Sequence, residues 1–101
     1  MEDTKRHMRL KLLAEEDRPR EKLMIQGRQA LSDAELMAIV LSSGNRDETA
    51  VQLAQRLLGD HKNNLNELAK LSVNDLKKYS GIGLVKAITI AASFELGRRR
   101  N

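Results

Sequence analysis

The chain has 101 residues, 41% hydrophobic and 32% charged, with no cysteine and a formal net charge of +4. That size suits one domain with a real core, and the composition excludes a disordered chain, a disulfide framework and a thiolate metal site. No apolar run approaches the roughly 20 residues of a membrane helix, and "MEDTKRHMRLKL" lacks an apolar signal core, so a cytoplasmic protein without a membrane partner is expected.

Residues 1–16 show no clean period and read as a flexible N-terminal arm; the helical domain is expected over 17–101. In "DRPREKLMIQG", Asp17 reads as an N-cap, Pro19 as a first-turn proline and Gly27 as a stop. In "LSDAELMAIVLSSG", Ser32 and Glu35 form a capping box, and Leu36, Ile39 and Val40 form an apolar stripe. "ETAVQLAQRLLG" gives a further helix ending at Gly59, and "NLNELAKL" a short helical connector. "SVNDLKKY" starts again from Ser72, with Asp75 where Glu35 stood before. A long helix follows Gly81-Ile82-Gly83, from about Leu84 to Arg99. No segment alternates with period two. The fold class expected is all-α: about six short helices, in two helix-hairpin-helix-like units joined by a connector helix.

An internal repeat underlies this order. Ser32 to Leu36 matches Ser72 to Leu76 at an offset of 40. Ser43-Gly44 matches Ser80-Gly81 at an offset of 37, which also aligns Ala50, Val51, Leu53, Ala54 and Leu57 with Ala87, Ile88, Ile90, Ala91 and Phe94.

The second hairpin, "SGIGLVKA", has the chemistry of a phosphate cradle. Gly81 supplies a left-handed helix stop, Ile82 turns inward to lock the two helices, and Gly83 offers no side chain to hold off an approaching ligand. Amides from Gly83 through Val85 lie at a helix start, where they lack intrahelical partners and the dipole is positive. Lys86 stands in the same turn. Gly81, Ile82, Gly83, Leu84, Val85 and Lys86 are therefore the candidate phosphate-binding residues. Such contacts read backbone rather than bases, so binding is expected to be weak, salt-dependent and sequence-independent. The first hairpin, "SGNRDETA", has one glycine and places Asp47 and Glu48 where phosphate would lie. It reads as a structural partner, with Arg46 the one cation.

Charge supports a polyanionic partner modestly, since the positive excess lies at the two ends of the chain. Tyr79 and Phe94 are the only aromatic residues, which argues against a base-stacking platform. His7 and His61 have no ligand spacing, so no metal site is expected. Glu15, Glu16 and Asp17 read as a solvated helix entry. No nucleophile–base motif is present, so no catalytic residue is assigned. Arg18, Arg20 and Lys22 form a further basic cluster, and Arg98, Arg99 and Arg100 suit a helix C-terminus.

"RPREKL" at 18–23, "ALSDAELMAIVLSSG" at 30–44 and "GIGLVKAITIAASFELGRR" at 81–99 together resemble the N-terminal domain of the RadC family. The resemblance implies a helical domain joined, in relatives, to a C-terminal JAB/MPN domain with metalloprotease-like zinc ligands, which would be its partner. The family name refers to DNA repair, which is an association of name only. The resemblance assigns the same hairpin, Gly81 to Lys86, to phosphate contact. It implies no cofactor, although some helix-hairpin-helix proteins hold a monovalent cation on hairpin carbonyls. The expected function is a non-catalytic module that binds duplex or branched DNA and targets that partner domain. The alternative is a protein-interaction or intramolecular docking module.

Overall fold

The computed structural model describes residues 17–100, and within them every regular element is helical. Helix α1 covers residues 17–26, a 3₁₀ turn Arg28–Ala30, α2 Asp33–Leu41, α3 Ala50–Gly59, α4 Leu65–Ala69, α5 Val73–Lys77 and α6 Leu84–Arg99. The expected arm over 1–16 lies outside the described residues. Asp17 is already helical and pairs with Arg20 at 2.8 Å, so it does not act as the expected cap.

Local sequence accounts for most of these boundaries. Ser32 Oγ accepts from the Glu35 amide, and the Glu35 carboxylate accepts from the Ser32 amide. Ser72 and Asp75 repeat this box forty residues on. A third box, Thr49 with Gln52, opens α3, and Asn64 caps α4. Each such cap contributes about 1 kcal/mol. Gly59 is the last residue of α3 rather than its stop. The chain turns after it through Lys62 and Asn63, both with positive φ.

The core joins the two halves of the repeat. Helix α2 packs on α3, α5 on α6, and α2 also meets α6. Leu41, Leu53, Leu57, Leu68, Leu76 and Ile90 are fully buried, and Ile82 joins them from the second hairpin, as its inward placement requires. In α2 the buried face is Met37, Ala38 and Leu41. The stripe expected from Leu36, Ile39 and Val40 lies one position off: Leu36 is exposed and the other two are half-buried. The segment is apolar nearly all round from Leu36 to Leu41, so its period does not decide which side faces in.

The repeat is closest where the halves meet. Ala50 and Leu53 are buried, as are Ala87 and Ile90. On the outer side the copies diverge, because α1 covers only the first. Pro19 is buried, Lys22 Nζ reaches Glu35 at 3.1 Å, and a shallow cavity is lined by Pro19 and Ile25 of α1 and by Val51 and Gln55 of α3. Ile88, the counterpart of Val51, is 50% exposed.

Candidate nucleic-acid interface

The start of α6 differs from those of α2, α3, α4 and α5. Its N-cap is Gly83, which makes no side-chain cap, whereas α2, α3, α4 and α5 are each capped by a Ser, Thr or Asn side chain. The first-turn amides of α6, from Leu84 to Lys86, have no intrahelical acceptor, and the helix dipole places partial positive charge there. Leu84 and Val85 are 53% and 77% exposed, so solvent reaches this turn.

The two glycines of the hairpin have different reasons to be glycine. Gly81 has φ +94, and a Cβ there would lie 2.8 Å from Asn45 Cβ. The fold itself excludes a side chain at that position. Gly83 has φ −85 and ψ −171, extended backbone open to any residue, and a Cβ there would meet nothing within 4 Å. Internal packing gives no reason for glycine at 83.

Of the other candidates, Ile82 is a core residue that can offer only backbone to a ligand. Lys86 is tied inward: Nζ donates to Ser43 O at 3.0 Å and to Ser43 Oγ at 2.7 Å. Two of its three donors are engaged with the first hairpin, which leaves one to face outward.

The first hairpin has been built for another task. Asn45 Oδ1 accepts from the Asp47 and Glu48 amides, and Nδ2 donates to Glu48 Oε1 and to the Ser80 carbonyl. Arg56 grips Glu48 through Nε and Nη2, both at 2.9 Å, and this guanidinium, followed by the Asn45 amide, holds the Glu48 carboxyl below its usual range. Arg56 also lies over the Tyr79 ring, 5.2 Å from its centroid. Tyr79 donates to Asp60 at 2.8 Å, and burial, then that hydrogen bond, push its phenol up to about 12. Sequence reasoning missed this network. The Asn after Ser-Gly signals a local turn, but nothing in sequence shows that its amide reaches Ser80.

His61 and Glu95 find their partners locally. His61 Nδ1 lies 2.8 Å from the Leu57 carbonyl oxygen. Glu95 binds Arg98 and Arg99, which draw its carboxyl down to about 2. His7, Glu15 and Glu16 lie outside the described residues. Among the described residues no group of three or more His, Cys, Asp or Glu could hold a metal ion, and no helix is long and apolar enough to cross a membrane.

Two helix pairs, joined through their hairpins and a short connector, define a small all-α domain. The sequence model described as UPF0758 N-terminal matches residues 10–88. A UPF0758 protein of Flavobacterium johnsoniae is 56% identical over 94 residues, covering 93% of this chain and 41% of the relative. Those of Porphyromonas gingivalis and Alkaliphilus oremlandii are 47% and 43% identical, covering 91% and 98% of this chain and 41% and 43% of each relative. The chain belongs to the UPF0758 family, which is the RadC family, and corresponds to its N-terminal domain. It spans about two fifths of the length of these relatives. No solved structure matches it.

Proposed function

We propose that this domain is a non-catalytic nucleic-acid-binding module of helix-hairpin-helix type, contacting the phosphate backbone of duplex or branched DNA through Gly81 to Lys86. The observation that carries the reading is Gly83. Neither its dihedrals nor its packing requires glycine, and the missing side chain leaves the α6 amides uncapped and open to solvent. A phosphate approaching those amides supplies the missing reason. The contact is small and reads no base edges, so affinity is low and salt-dependent. In longer family members such a module would bring DNA to, or hold it near, a C-terminal metalloprotease-like domain.

The test is Gly83→Ala and Gly83→Glu against wild type, with duplex binding followed by fluorescence anisotropy and stability by urea denaturation. Ala should leave stability unchanged and weaken binding severalfold. Glu should weaken it by tenfold or more, about 1.4 kcal/mol or above. Wild-type affinity in both folded variants refutes the cradle.

A second reading, a docking module, is favoured by α6 itself. Val85, Ile88 and Leu96 are 77%, 50% and 71% exposed, and their spacing puts them on the side away from Ala87 and Ile90. Substituting Ile88 and Leu96 while leaving Gly81 to Lys86 intact separates the two readings.

A further inference from the structure

Copy one of the repeat retains the hairpin but has lost the open helix start. At the offset of 37, Asn45 of the first hairpin corresponds to Ile82 of the second. Ile82 fills the core. Asn45 instead turns its amide across to the other copy, and all four of its hydrogen-bonding capacities are used: two backbone donors on Oδ1, and Glu48 Oε1 and Ser80 O on Nδ2.

The contacts around Asn45 converge on one short turn. Asn45 holds the Ser80 carbonyl at 2.9 Å, and its Cβ fills the space beside Gly81. Glu48 accepts from Asn45 and from Arg56, and Arg56 covers the ring of Tyr79, the residue before Ser80. Tyr79 in turn accepts the Ile82 amide on its carbonyl at 3.0 Å. The consecutive residues Tyr79, Ser80 and Gly81 are thus gripped from the first copy at a ring, a carbonyl and a backbone face.

We infer that Asn45, Glu48 and Arg56 form a clamp that positions the second hairpin, so that the first copy serves the anion site without touching the anion. This rests on the proposed phosphate cradle. It assigns Glu48 a use: an acid beside a phosphate site is tolerated because its charge is held by Arg56 and its oxygens orient the Asn45 amide. Three contacts on one turn, a hydrogen bond, a covered ring and a packed backbone face, remove its alternative conformations, and a preorganised site binds more tightly than a loose one.

Two substitutions that leave the net charge unchanged test it. Asn45→Ser keeps a short acceptor for the local turn and loses the reach to Ser80. Arg56→Lys keeps the cation and loses both the fork on Glu48 and the planar cover of Tyr79. In each variant the Ile82 amide should exchange with deuterium about tenfold faster, while the Leu53 amide, in the first copy, keeps its wild-type rate. Duplex affinity should fall about two- to tenfold with an unchanged log–log salt slope, since no phosphate contact is removed. Unchanged Ile82 exchange in both variants overturns the clamp. Faster exchange with unchanged affinity overturns its role at the site. Wild-type-like binding by Arg56→Lys together with a shallower slope in Arg56→Ala would make Arg56 a direct phosphate contact instead. If the unsubstituted chain binds no duplex, the cradle fails by itself, and the exchange comparison still decides the clamp.

Discussion

Lys86 Nζ donates to the carbonyl and the hydroxyl of Ser43, 43 residues earlier, at 3.0 and 2.7 Å. The lysine nearest the open start of α6 is therefore also a strut between the two hairpins. Removing it does more than delete a charge. Lys86→Ala and Ser43→Ala should each lower stability by about 0.5–1.5 kcal/mol, and the double variant should lose clearly less than the sum. Additive losses in urea denaturation would show that the strut contributes nothing.

The glycines should sort by mechanism. Gly81→Ala meets a positive φ and a 2.8 Å contact with Asn45 Cβ, so a loss of about 2 kcal/mol or more is expected. Gly44→Ala should be worse, since its Cβ would fall on the Glu48 carbonyl oxygen, a backbone atom that cannot swing aside. Gly83→Ala should stay within about 0.5 kcal/mol of wild type, because its Cβ points into open space. Denaturation midpoints decide, and equal losses at 81 and 83 would contradict the structure.

What the sequence showed and withheld follows from the range of each interaction. Capping boxes span three residues, so Ser32, Glu35, Ser72 and Asp75 were legible, and with them the helix starts. The inward turn of Ile82 followed from one apolar residue between two glycines. The buried face of α2 was not legible, because Leu36 to Leu41 is apolar nearly throughout, and only the neighbouring helices choose Met37, Ala38 and Leu41. The ties from Asn45 to Ser80 and from Lys86 to Ser43 join residues 35 and 43 apart, and no local pattern encodes them.

The α2 register can be tested by truncation. Leu41→Ala removes a side chain with no exposed surface and should cost about 2–5 kcal/mol. Leu36→Ala, at a position 37% exposed, should cost under about 1 kcal/mol. The reverse order in thermal or urea unfolding would restore the stripe through Leu36.

Tyr79 is the only tyrosine and there is no tryptophan, so alkaline absorbance reads one phenol. Burial and the bond to Asp60 push it up to about 12 from 10.0. A raised tyrosine favours the neutral form in the folded state. Its contribution is complete below about pH 10 and is lost between about pH 10 and 12, where the unfolded chain has released the proton and the folded chain has not. The folded protein should titrate near pH 12, and Tyr79→Phe should flatten that alkaline loss of stability. A midpoint near 10 in the folded protein would contradict the half-buried, bonded phenol.

The most direct test of the central claim is an amide chemical-shift titration of the unsubstituted chain with a short duplex, at about 50 and about 200 mM salt. Shifts should concentrate at Gly81 and from Gly83 to Lys86, be weaker at Arg46, Asp47 and Glu48, and be largely lost at the higher salt. No shifts at about 50 mM, or shifts along Ile88 and Leu96 that persist at high salt while Gly83 stays silent, would contradict it.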